Sequence, residues 1–182
     1  MLEIEIPPRE LFDEKTSEFI TTDAAVLRLE HSLISISKWE SKWHKPFLNT
    51  TKNQRHTPDE MMDYIRCMTI DRHVDPHIYL ALTNDNITSI KNYINDPMTA
   101  TTIADRPGAP LRREIITAEL IYYWMVSFGI PFECEKWHVN KLITLIKVCS
   151  EKNNPKKMNQ AAILAQNREI NEARKRALRT RG

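Results

Sequence analysis

Apolar and acidic residues alternate in "LEIEIP", residues 2–7, the period-two pattern of a half-exposed strand. "PPRELFDEKT" (7–16) supplies turn residues and "SEFITT" (17–22) can return, so the pattern predicts an N-terminal β-hairpin. "AVLRL" (25–29) is either a third short strand or the lead into the first helix. Two strands alone are marginal in water, so the hairpin has to pack on something.

The period changes in "EHSLISISKWESKWHKPF", residues 30–47. Leu33, Ile36, Trp43 and Phe47 recur at helical spacing, and Trp39 borders the same face. The tryptophans therefore read as core anchors of an amphipathic helix. Trp43 is the expected buried one; Trp39 is expected to be partly exposed and open to a partner. Glu30, Lys38, Glu40 and Lys42 fall mainly on other faces. Pro46 should end the helix by disfavouring helical geometry at Lys45.

A polar loop, "NTTKNQRH", leads to a strong helix start: Thr57 as cap, Pro58 at the first position and Glu60 completing a capping box. Met61, Tyr64, Ile65 and Met68 make its apolar face. Asp75 and Pro76 open a further helix, and Thr83 or Asn84 caps another that buries Ile87, Ile90 and Ile94. Residues 95–110 hold three prolines and Gly108 without helical period, which reads as a flexible loop, with "MTATTI" able to form a short strand.

"LRREIITAELIYYWMVSF" (111–128) is apolar on more than one face and reads as the central helix, closed by Gly129 and Pro131. "ECEKWHVNKLITLIKVCSE" (133–151) should turn Trp137, Leu142, Leu145, Ile146 and Cys149 inward. "KNNPKK" is a linker, and the last segment, from Met158, is rich in helix formers but poor in large apolar residues. The expected fold is mainly α: an N-terminal β-hairpin packed on a helical bundle, residues 1–150, then a linker and a projecting basic helix, residues 151–182.

Composition adds exclusions. Three glycines in 182 residues argue against a P-loop or a Rossmann turn. No apolar run is long enough to span a bilayer, and the acidic N-terminus lacks the features of a signal peptide. Cys67, Cys134 and Cys149 fit buried thiols of a reducing compartment better than a disulfide scaffold. The net charge of +2 conceals a polarity. Residues 1–19 carry six acids against two bases, whereas residues 151–182 carry nine Lys or Arg against three Glu. Such ends can attract one another or seek partners.

Little points to catalysis. Cys134 and His138 stand four apart, as do His73 and His77, but no set of four metal ligands is completed. No oriented base or oxyanion donor marks a nucleophile, and His31 reads as a packed or capping histidine. No catalytic, metal or cofactor-binding residue is assigned. The basic tail lacks aromatic residues for base stacking, which argues against nucleic acid. Arg174, Lys175, Arg176, Arg179 and Arg181, together with Trp39, are the candidate partner-binding residues. Met61, Met62, Met68 and Met98 are candidates for an adaptable apolar surface.

"LEHSLISISKWESKWHKPF", "DYIRCMTI", "DPMTATT", "EIITAELIYYWM", "IPFECEKWH" and "NREINEARKRALRTRG" together resemble the tail assembly chaperones of long-tailed bacteriophages over nearly the whole chain. The resemblance implies a non-enzymatic helical protein without cofactor. Such a protein binds the long tape-measure protein in the bacterial cytoplasm and keeps it soluble until tail-tube protein polymerises around it. A structural virion protein of the tail or head-tail connector is the alternative, and a small nucleic-acid-binding regulator the second. Self-association suits either of the first two.

Overall fold

A computed structural model describes residues 1–13, 18–48, 56–102 and 115–153, and single positions between 164 and 174. The chain divides into two units, Met1–Val148 and Cys149–Gly182. The first is mainly α with an N-terminal hairpin.

The hairpin is longer than the alternation predicts. β1 (Leu2–Ile6) pairs antiparallel with β4 (Ala25–Leu29), and β2 (Arg9–Asp13) with β3 (Glu18–Thr22). Paired residue numbers sum to 31 in both ladders, so the four strands are two arms in one register. Pro7 and Pro8 interrupt the first arm, because proline has no N–H to give a ladder. Buried Thr22 bridges the break: its hydroxyl accepts from the Arg9 N–H at 3.3 Å and donates to the Arg9 carbonyl at 3.1 Å. "RELFD" is thus a strand rather than part of the turn, and "AVLRL" is the partner of the first strand.

Both edges of the hairpin's base are engaged by the helical part. Along β4, the Ile70 N–H donates to the Arg28 carbonyl and the Glu30 N–H to the Met68 carbonyl, both at 2.9 Å. Asp71 takes the Arg28 backbone N–H and its guanidinium. Along β1, the Asn86 amide donates to the Glu5 carbonyl at 3.0 Å. Ile4, Ile6, Leu27 and Leu29 point inward and are buried. Such bonds reduce the number of unpaired backbone groups that would invite another strand.

Helices follow: α1 (Leu33–Trp43), α2 (Pro58–Met68), a 3-10 helix (Pro76–Ala81), α3 (Asn84–Asn95), α4 (Ala118–Phe128), a second 3-10 helix (Phe132–Lys136) and α5 (Val139–Asn153). The Thr57–Glu60 and Thr83–Asn86 capping boxes form, and Asp75 caps the first 3-10 helix. α1 starts from a Ser32–Ser35 box. It ends at His44, whose left-handed φ of 52° lets its N–H close on the Glu40 carbonyl, two residues before Pro46. Gly129 at φ 64° ends α4, a conformation that strains any residue with a Cβ. Among the described residues no helix is long and apolar enough to cross a membrane.

α1, not α4, takes the central place: it packs on α2, α4 and the second 3-10 helix. α4 buries Ala118, Ile121 and Met125 but leaves Tyr123 and Val126 more than 60% exposed. Its apolar surplus faces solvent because one neighbouring helix can cover only one side of it. Trp137 is likewise outside, half-exposed before α5, with the Lys141 ammonium 4.5 Å over its ring. α3 buries Ile90 and Tyr93, while Ile87 and Ile94 are half-buried. Residues 96–102 form neither helix nor strand, and 103–110 of the expected loop lie outside the described residues.

The two tryptophans of α1 exchange their expected roles. Trp39 is fully buried, and its indole N–H donates to the Glu60 carbonyl at 2.9 Å. Trp43 is half-buried, its N–H bonded to Asp63 at 2.9 Å. Glu40 is buried too, its carboxylate accepting the Phe47 N–H and the Ala118 N–H, each at 2.7 Å. Trp39→Ala should therefore cost about 3–5 kcal/mol in chemical denaturation, and Trp43→Ala about half as much. Equal losses would show that Trp39 is not the anchor.

Candidate partner-binding groove

The Thr57–Glu60 capping box, with Pro58 at the first helical position, fixes where α2 begins and so which of its residues face α3. Between α2 and α3 lies an open groove of about 530 Å³. Ile65 and Ile90, both nearly inaccessible, form its floor. Half-buried Met61, Met62 and Ile87 form its walls, with Pro58 at the helix start. His56 and Lys91 are its basic lining groups, and no described carboxylate lines it. Methionine side chains are flexible and polarisable, so such walls adapt to different apolar occupants. An amphipathic helix laid against the groove would place a few apolar side chains between them.

A cluster of packed rings adjoins the groove at His56. Phe47 is stacked between His56, at 4.8 Å, and Tyr64, at 3.8 Å, and Trp39 meets Phe47 edge-on at 5.2 Å. His56 Nε2 lies 3.0 Å from the Phe47 carbonyl. Glu60 binds the Lys45 ammonium and the Thr57 N–H, which hold its carboxyl below the usual carboxylate range. Asp63 is pulled upward by burial, yet hydrogen bonds from Lys42 and Trp43 bring it below its ordinary value.

The predicted candidates scatter. Met61 and Met62 line the groove, Met68 is core, and Met98 is exposed beyond α3 with a left-handed φ of 49°. Trp39 cannot meet a partner, because α2 covers it. Arg174 is exposed on a helical residue, while Lys175, Arg176, Arg179 and Arg181 lie outside the described residues. Cys134 sits in the 3-10 helix and His138 in an isolated bridge with Ser32, so they do not share a helix.

A buried polar cluster was not legible in the sequence. His31 and His138 stack edge-on at 4.9 Å between the hairpin and α5. His31 Nδ1 meets the Tyr64 hydroxyl. His138 Nδ1 accepts the Asn140 N–H at 3.3 Å, so Nε2 carries the proton it donates to the Tyr93 carbonyl at 2.9 Å. Burial, followed by the neighbouring His138, pushes His31 down to about 3, and burial also lowers His138. Burial drives the Tyr64 hydroxyl upward. The sequence offered only histidines on helical or strand edges; their meeting spans more than a hundred residues.

Compared with known proteins, the chain matches no family model, no curated protein and no solved structure.

The histidine pair predicts a particular pH dependence. His31 stays neutral in the folded protein but charges near 6.5 when unfolded, so the unfolded state binds more protons between those values. Stability should fall as pH drops from 6.5 towards 3, by about 1.4 kcal/mol per unit for one such proton. This window opens above that of Glu60, Asp63 and Asp71, whose depressed carboxyls contribute only lower down. Denaturant midpoints measured against pH should show the slope, and His31→Gln should flatten it. An unchanged slope would place the titration elsewhere.

Proposed function

We propose that this protein is a phage tail assembly chaperone, which acts in the bacterial cytoplasm by holding an apolar helical segment of the tape-measure protein. The observation that carries the reading is the methionine-walled groove between α2 and α3. Its apolar floor and adaptable walls suit successive turns of a long helix of varied sequence. The basic lining groups, His56 and Lys91, suit a client with acidic residues flanking its apolar stripe. The resemblance of the core phrases to that family points the same way. Work of this kind requires no bond making, so no residue is assigned a catalytic role.

A structural virion protein of the tail or connector is the second reading. It is favoured by the apolar side chains left on the surface, Tyr123 and Val126 on α4 and Phe12 and Phe19 on the hairpin. Permanent assembly would cover them.

Mass spectrometry of purified virions separates the two: a chaperone is absent or trace, a connector present at fixed stoichiometry. Co-expression with the tape-measure protein should keep that client soluble. The double variant Met62→Glu/Ile87→Glu should weaken capture of the client at least ~10-fold, about 1.4 kcal/mol, with little change in thermal midpoint. Undiminished capture by a folded variant would remove the groove from the mechanism.

A further inference from the structure

The outer half of the hairpin carries surface that its own fold does not use. β2 and β3 pack on the first 3-10 helix, yet Phe12 and Phe19 form a cross-strand pair with centroids 5.1 Å apart that is 53% and 69% exposed. Glu10 stands two residues from Phe12 on the same strand and is exposed, as are Glu3 and Glu5 on β1. Arg28, the basic residue opposite Glu3, is committed to Asp71. The hairpin therefore presents an exposed aromatic pair beside Glu10, with Glu3 and Glu5 exposed further along the same arm.

The C-terminal unit presents the chemical complement. Leu164 and Ile170 are exposed helical residues, 56% and 42%, and each precedes an exposed arginine by four positions, Arg168 and Arg174. A spacing of four puts each apolar side chain and its guanidinium on one side of the helix. Guanidinium groups pair with carboxylates and lie on aromatic faces, so an apolar-plus-arginine couple suits an aromatic-plus-glutamate surface. The excess of six positive charges in residues 151–182 over the neighbouring acids answers the excess of four negative charges in residues 1–19.

We propose that the exposed side chains of the hairpin, Glu10, Phe12 and Phe19 with Glu3 and Glu5 further along, dock the basic C-terminal segment of a second copy of this chain. The contact joins two different surfaces, so it is heterologous: copies link head to tail, closing into a ring or extending as a filament. The hairpin residues named are not among those lining the α2–α3 groove.

Charge exchange in the full-length chain tests this. One variant carries Glu3→Lys/Glu5→Lys/Glu10→Lys, the other Arg168→Glu/Arg174→Glu/Arg176→Glu. Sedimentation velocity should find the natural protein self-associated at about 0.05 M salt and dissociated at about 1 M, where the Debye length is about 3 Å. Each variant alone should be monomeric, with an unchanged circular dichroism spectrum. Their equimolar mixture should associate again, since each reversed surface then meets an oppositely charged partner. A natural protein that stays monomeric at low salt overturns the proposal, as does association that survives both reversals or a mixture that fails to associate. Should the hairpin variant not fold, the C-terminal variant still decides: Arg168 and Arg174 are exposed, and undiminished self-association in it refutes the contact.

Discussion

The indole N–H of Trp39 reaches the Glu60 carbonyl on α2, and the carboxylate of the next residue, Glu40, takes the first N–H of α4. These adjacent residues tie α1 to helices on either side of it. Both bonds are buried, where leaving either partner unpaired would cost a desolvation penalty of about 1–3 kcal/mol or more. The second bond also sets a negative charge at a helix N-terminus, where the helix dipole favours it. Burial still raises the Glu40 carboxyl above its ordinary value, and the Ala118 and Phe47 N–H groups offset part of that rise. The same carboxylate seats Phe47, which the rings of Tyr64 and His56 then enclose.

From this fixed point the rest is placed. Holding α2 against α1 aims Met61 and Met62 away from the core and towards α3. Holding 68–71 against β4 seats the base of the hairpin, which in turn receives α3 through Asn86. The His31–His138 pair closes the other side, with the Val139 N–H bonded to the His31 carbonyl at 2.9 Å. What this arrangement leaves uncovered is specific: a methionine-walled groove, one face of α4, and the outer half of the hairpin. Under the chaperone reading, the rigid part is the aromatic backing and the adaptable part is the thin layer of methionine and isoleucine above it. That division suits a surface that must accept many helical turns without changing its own fold.

Most caps and breaks were legible because they depend on neighbours within four residues, whereas α4 and α5 begin later than the expected helices over 111–128 and 133–151. Thr57, Pro58 and Glu60 satisfy one another locally, and so do Thr83 with Asn86 and Gly129 with the end of α4. The alternation of "LEIEIP" likewise marked a strand whatever its partner. The partner itself was not legible, because pairing Leu2 with Leu29 rather than a nearer residue depends on closing a long register across two prolines. Side-chain exposure on α1 and α4 was misjudged for the same reason. A helical period shows that one stripe is apolar, but a shift of one position along that stripe separates Trp39 from Trp43, and only the arrival of α2 decides between them. α4 is apolar all round, and nothing within it says how many neighbours will come.

By itself the sequence determined a mainly α chain, its N-terminal strands, several helix caps and breaks and its opposed charged ends, since each follows from local backbone preference, periodicity or composition. Only the tertiary structure decided that Trp39 is sealed, that Glu40 is buried and satisfied, that two distant histidines share a dry cluster, and that Met61 and Met62 face a groove. Each of these depends on which long-range surfaces exclude water together, and that is a property of packed pairs rather than of any one segment.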